Sequence, residues 1–265
     1  MLTRAALRAE IDRIGLVSGD IVMVHAAIGS LGPVLGGPDT VIAALGDAVG
    51  PEGTLIAYTD WDASYEQLAD AEGRVPEYWK PHIPPFDPVR SRAARENGIL
   101  PEFLRTTPGA LRSASPGASV AALGAKAQAI TADHPLDYGY GEGSPFAKLV
   151  AAGGKVFMVG APDDTITLIH HAEHLARIPG KPIKRIEVPF ARESGTLWRM
   201  IEEFDTARPV MASLAGEDYF GAIVAGAVAA GIARRDRIGP APCLVTDAAP
   251  MVGFAVDWLE RLALR

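Results

Sequence analysis

The chain has 265 residues, 48% of them hydrophobic and 22% charged, with a formal net charge of −7. This is the balance of a globular protein with a sizeable core, and the length allows one large α/β domain or two small ones. No Lys/Arg-rich run marks a nucleic-acid footprint, no apolar stretch free of Gly and charge is long enough to span a bilayer, and the single Cys243 excludes an internal disulfide and a cysteine zinc cluster. Met1-Leu2-Thr3-Arg4 leads into an amphipathic pattern and not the apolar core of a secretion signal, so a cytoplasmic location is expected. The acidic balance suits a cationic ligand.

Thr3 caps a predicted first helix with Leu7, Ile11 and Ile14 on one face. A short β-branched run, Ile21-Val22-Met23-Val24, reads as a buried parallel strand ending at His25. A glycine-rich loop from Gly29 to Gly37 follows, then a helix opened by Pro38 with Val41, Ile42 and Leu45 on its apolar face. The turn Gly50-Pro51-Glu52-Gly53 leads to the strand Thr54–Tyr58, completing a βαβ unit. Residues 60–98 break the pattern: Trp61, Tyr65, Tyr78, Trp79 and Phe86 are interleaved with five prolines, an ordered and functional insertion. Helix is expected over 99–107, strand over 118–124, a short helix over 125–132, and a helix from Ser144-Pro145 to about Ala151. After Gly153-Gly154 comes the strand Lys155–Val159. The turn 160–164 then offers an Asp cap to a helix from Thr165 to about Arg177. Residues 183–190 and 196–201 read as β-structure, followed by a helix near 220–233, a strand near 243–245 and a helix from about Pro250. The expected fold is α/β: a central, largely parallel or mixed sheet flanked by helices, with the aromatic/Pro-rich insertion and extra β-structure in the C-terminal half, as a single domain over 1–265.

The densest chemistry is Thr167-Leu168-Ile169-His170-His171-Ala172-Glu173-His174. On a helix Thr167, His170 and His174 share a side, and Glu173 lies one turn after His170. The strand and tight turn before it place the cluster at the carboxyl edge of a parallel sheet, where open α/β folds bind ligands. Three readings stand together: a solvated helix face, a metal site built on His170, His171 and His174, and a histidine general base oriented by a carboxylate. The loop 29–37 can bring backbone amides to a phosphate, yet it matches neither G-x-G-x-x-G nor a P-loop. Glu202-Glu203-Phe204-Asp205, Asp62 and Glu142 can pair with a polycation, and Trp61, Tyr65 and Trp79 can stack on it or pack a core.

Taken in order, Val24-His25-Ala26-Ala27 with the glycine loop, Trp61-Asp62, Pro85-Phe86-Asp87-Pro88, Arg112-Ser113-Ala114-x-Pro116, Gly141-Glu142-Gly143-Ser144-Pro145 and Thr167-x-x-His170-x-x-Glu173 resemble the aminoglycoside 3-N-acetyltransferases, an acetyltransferase type outside the GNAT fold. The resemblance runs from about residue 3 to residue 260. It implies transfer of acetyl from acetyl-CoA to the 3-amine of the 2-deoxystreptamine ring, with no metal; composition points to neither nucleic acid nor membrane as a partner, and monomer and homodimer are both left open. It implies His170 as catalytic base, with Glu173, Thr167 and Glu203 in catalytic roles. His25, Ala26, Ala27, Ser30, Leu31, Gly32, Arg112, Ser113 and Ser144 would lie along the coenzyme. Asp62, Tyr65, Glu142, Glu203 and Asp205 would face the drug. Two positions depart from the family pattern: Ser115 stands where His is common, and His171 where an aromatic or Leu is common. Other assignments compatible with the sequence are an acetyltransferase of the same architecture acting on another amine, a metal-dependent hydrolase built on the histidines, and a binding module without turnover.

Overall fold

In the computed structural model, which describes residues 1–264, the first half of the chain builds the middle of a sheet. Helix α1 (Arg4–Ile14) is capped by Thr3, whose hydroxyl accepts from the Ala6 amide at 3.2 Å. Strand β1 (Ile21–Ala26) is followed by a short turn, helix α2 (Gly37–Val49) and strand β2 (Thr54–Tyr58). β1 and β2 pair in parallel, with Met23 opposite Ile56. Helix α3 (Leu100–Thr106), a two-residue strand β3 (Leu111–Arg112), strand β4 (Val120–Gly124), and helices α4 (Ala127–Thr131) and α5 (Pro145–Ala151) follow. Strand β5 (Lys155–Val159) then pairs in parallel with β1, bringing Met158 beside His25.

The C-terminal half adds helix α6 (Leu168–Leu175), strands β6 (Ile183–Arg192) and β7 (Gly195–Phe204), helix α7 (Tyr219–Ala229), strands β8 (Ala233–Ile238) and β9 (Ala241–Asp247), and helix α8 (Ala248–Ala263). The main sheet has seven strands in the order β3-β4-β2-β1-β5-β9-β8. It is mixed: β2-β1-β5 is a parallel centre, and β4, β3, β9 and β8 join antiparallel on its flanks. Alternation along β1 fills two cores. Val22 and Val24 pack with α1, α2 and α3, whereas Met23 packs with α4 to α8.

Several boundaries differ from the sequence expectation for identifiable reasons. Strand β8 was not anticipated because Ala233-Arg234-Arg235-Asp236-Arg237-Ile238 carries four charged residues and buries only its two ends. Charge of this kind suits a sheet edge. No Asp caps the helix expected from Thr165, because the helix begins only at Leu168 with Thr167 in the capping position; the Asp163 carboxylate instead meets the Arg235 guanidinium at 2.5 Å. Residues 163–165 form a separate turn instead, and the helix runs only from 168 to 175. The Lys181 ammonium ends it by donating to the carbonyls of Glu173, His174 and Ala176.

The insertion and the β6–β7 hairpin form a lobe beside the sheet. The two strands pair over ten residues, and Phe86 bridges Phe190. The Phe86 amide donates to the Pro189 carbonyl, and the Ala191 amide to that of Phe86, both at 2.8 Å. Phe86, Ile186, Val188, Phe190 and Ile201 make one small core, with Trp61 packed against it, while Tyr65, Val75 and Ile83 make another. Gly73 has φ +79° and lies where a Cβ would meet the Arg185 carbonyl oxygen at 2.0 Å, so that contact requires glycine. Among the described residues no helix is long and apolar enough to cross a membrane.

Candidate active site

Short α6 carries its histidines in three directions. His170 Nδ1 donates to Glu173 Oε2 at 2.7 Å, since an ionised carboxylate only accepts. That bond fixes the tautomer of the neutral ring and leaves a lone pair on Nε2. The imidazole lies between Tyr140 and Phe220, with ring centroids 5.1 and 4.9 Å away, and its side chain retains 21% exposure. Glu173 is buried, and its other oxygen accepts from the Tyr219 hydroxyl at 2.5 Å. His171 points into the core, where Nδ1 donates to the Tyr140 carbonyl at 2.6 Å and burial lowers its pKa. His174 packs against Tyr138 and Phe204, and burial pushes it down to about 4. The three imidazoles do not converge. Among the described residues no three His, Cys, Asp or Glu side chains are grouped to hold a metal ion.

His170 opens onto a cleft of about 550 Å³ between the sheet's carboxyl edge and the lobe. Tyr58 and Asp60 enter it from the end of β2, Trp61, Asp62, Glu66 and Glu96 from the insertion, and Glu203, Phe204 and Asp205 from the end of β7. Among the described residues, six carboxylates thus face one cavity whose single lysine or arginine, Lys184, is paired with Glu66. Burial pushes both Asp60 and Glu203 up to about 7. Asp60 has φ +49°, and its carbonyl accepts from the Arg112 guanidinium and, at 3.1 Å, from the Ser119 hydroxyl. Partly buried carboxylates held without a full cationic partner are suited to a ligand that brings its own positive charge.

A second cleft, of about 120 Å³, is lined by Val24, His25, Ala26 and Ala27 at the end of β1, by Asn97, Gly98 and Pro101, and by Ala161, Pro162 and Thr165 after β5. Tyr58 and Glu96 line both clefts, so the two meet at the end of β2. His25 Nε2 is buried without a partner, and burial pushes that ring down to about 4, leaving a neutral group at the wall.

The structure brings some sequence-selected residues to these clefts and keeps others away. His170, Asp62, Glu203 and Asp205 line the acidic cleft, Glu173 supports His170, and His25, Ala26 and Ala27 line the smaller one. Thr167 is buried one turn before His170 and lines neither. Ser30 donates to the Ala27 carbonyl at 2.7 Å, Leu31 is core, and Gly32 closes the turn with φ +73°. Arg112 braces the insertion through the carbonyls of Asp60 and Ser91. Ser113 donates to His134 Nδ1 at 2.9 Å, since the His134 Nε2–H donates to the Gly139 carbonyl, and accepts from the Val120 amide. Ser144 caps α5. Tyr65 is buried between Trp61 and Trp198, and Glu142 is exposed away from both clefts. Ser115, where the family pattern has His, borders the acidic cleft.

Sequence reasoning missed Tyr58, Asp60, Glu96, Tyr140, Tyr219 and Phe220. Tyr58 and Asp60 had a usable signal, since they end a strand of the parallel centre. The others come together only through contacts distant along the chain.

The family model described as "Aminoglycoside 3-N-acetyltransferase" matches residues 23–260. Aminoglycoside N(3)-acetyltransferase III of Pseudomonas aeruginosa is 44% identical, covering 97% of this chain and 93% of its own length. Among solved structures, AAC-IIIb in a binary complex with CoASH superposes with a TM-score of 0.96 at 64% identity, covering 98% of this chain and 97% of the other. AAC-VIa bound to sisomicin gives a TM-score of 0.92 at 34% identity, covering 98% of each chain. Likeness of this depth covers both clefts and α6, and this chain therefore belongs to the aminoglycoside 3-N-acetyltransferase family.

Proposed function

We propose that this chain moves the acetyl group of acetyl-CoA to the 3-amine of a 2-deoxystreptamine aminoglycoside by direct attack, with His170 as the general base. The observation that carries the reading is the His170–Glu173 hydrogen bond at the edge of a cavity faced by six carboxylates. An aminoglycoside brings several ammonium groups. Asp60, Asp62, Glu66, Glu96, Glu203 and Asp205 supply the complementary charge, with the partly buried members least screened by salt.

An ammonium cannot attack a thioester, so a proton must leave as the nitrogen becomes a nucleophile. His170 Nε2 accepts it, and the buried Glu173 carboxylate stabilises the resulting imidazolium and keeps the ring turned. The coenzyme occupies the smaller cleft along His25–Ala27, and its thioester reaches the amine at the junction beside Tyr58 and Glu96. CoASH in the similar AAC-IIIb supports coenzyme use, and sisomicin in AAC-VIa supports the drug class. The new C–N bond forms as the C–S bond breaks, the departing thiolate takes the second proton that the nitrogen gives up, and CoA leaves as the thiol. Cys243 lies buried in β9 and is pushed up to about 11 by burial, which does not suit a nucleophile.

A thiol-release assay with acetyl-CoA, run against several aminoglycosides and a set of monoamines, tests this, with the acetylated nitrogen located by NMR. Turnover confined to the polycationic drugs and acetylation at position 3 are expected. Equal turnover of simple amines, or acetylation at another nitrogen, would overturn the assignment of substrate.

A further inference from the structure

We propose that Tyr219 is a positioning residue for the acetyl transfer, its phenol fixing the Glu173 carboxylate so that the second oxygen stays on His170 Nδ1. The inference rests on His170 acting as the base. Glu173 is buried, and each of its oxygens has one partner: Oε2 receives His170 Nδ1–H at 2.7 Å, and Oε1 receives the Tyr219 hydroxyl at 2.5 Å. A buried carboxylate that lost either donor would keep an uncompensated lone pair. The last torsion of a glutamate is broad and nearly two-fold, so covalent geometry does not set how the carboxylate plane is turned. The phenol sets it from the side opposite the imidazole.

The position of that phenol is itself fixed. Tyr219 is the first residue of α7, and Asp218 before it accepts from the Gly221 amide at 2.8 Å, capping the helix. Phe220, next in the chain, packs on the His170 ring at 4.9 Å. Two adjacent residues at one helix start therefore hold both members of the pair, one by a hydrogen bond and one by ring contact. Burial and the neighbouring Glu173 carboxylate raise the Tyr219 hydroxyl well above its ordinary value, so it remains a donor wherever the enzyme works. The other charged or titratable groups around the pair are Tyr140 on the His170 ring, Lys181 on the helix-end carbonyls, His174, Glu203, Asp205 and Arg208. None of them is hydrogen-bonded to a Glu173 carboxylate oxygen.

Tyr219→Phe deletes one oxygen and keeps the ring on Phe220. It is compared with Glu173→Gln, the double variant and His170→Ala, with thermal melting to confirm folding. Steady-state rates with acetyl-CoA and one aminoglycoside should show kcat lowered about tenfold by Tyr219→Phe, with both KM values within about twofold. The acid limb of its kcat/KM profile should be displaced, and the same substitution should cost nothing further in the Glu173→Gln background. Wild-type kcat, an equal loss in both backgrounds, or a loss that raises KM in proportion would overturn the inference. Inactive His170→Ala beside fully active Tyr219→Phe removes this inference alone, whereas active His170→Ala removes the base on which it depends.

Discussion

The seven-stranded sheet and the insertion lobe solve different problems on the two sides of one active site. The sheet buries continuous aliphatic cores on both faces and ends in small, uncharged residues, Ala26 and Ala27, where the coenzyme is assigned. The lobe has two small cores, with Trp61 packed against both, and the six carboxylates lie on it or at its two junctions with the sheet, Asp60 after β2 and Asp205 after β7. In the proposed reaction the apolar frame would hold the base and receive the thioester, and the lobe would supply charge for the polycation. Drug binding and coenzyme binding should therefore respond separately to substitution.

The largest separation is expected from Asp60→Asn and Glu203→Gln. Each removes a partly buried charge partner and should raise the KM for an aminoglycoside on the order of 10–100-fold, with that for acetyl-CoA nearly unchanged. Steady-state kinetics with both substrates varied checks this, and a matching rise in the acetyl-CoA KM would break the comparison. pH supplies the next effect. Asp60 and Glu203 sit at about 7 in the free enzyme, and a docked ammonium favours their ionised forms. Drug binding near pH 7 should release protons, and affinity should rise from pH 6 toward 8 by up to about tenfold per carboxyl, until the drug's own amines lose charge. Calorimetry in buffers of different ionisation enthalpy measures the release; proton uptake would contradict the sign. Gly73→Ala puts a methyl against the Arg185 carbonyl at a positive φ. It should cost about 1–3 kcal/mol of stability, read as a lower melting temperature, with stabilisation by acetyl-CoA retained. The smallest effect sharpens the boundary of the drug site: Glu142 is exposed outside the clefts, so Glu142→Gln should leave the drug KM within about twofold of wild type.

The same contrast explains what the sequence discloses. The βαβ centre was legible because aliphatic runs bounded by glycine turns must be buried, and Thr167-x-x-His170-x-x-Glu173 was legible because three- and four-residue spacing sets a helix face. The sequence did not reveal that Thr167 stands outside the helix and away from the clefts, that His171 and His174 diverge from His170, or that β8 exists at all. The two histidines are turned by partners far along the chain, Tyr140 under His171 and Tyr138 and Phe204 around His174, whereas β8 pairs with the neighbouring β9 and was hidden by its own charges. Motif residues such as Ser113, Ser144 and Arg112 fell in register with the family pattern, yet their polar atoms are spent on His134, the start of α5 and the insertion backbone. Motif spacing alone cannot distinguish a side chain that meets a ligand from one that holds the loop next to it.

Chemical rescue addresses the base most directly. In His170→Ala the space between Tyr140 and Phe220 is opened beside an intact Glu173. Single-turnover acetyl transfer at saturating acetyl-CoA and aminoglycoside should fall about 10²–10⁴-fold, and added imidazole should restore part of the rate in proportion to its concentration. Transfer at the wild-type rate without imidazole would contradict the account.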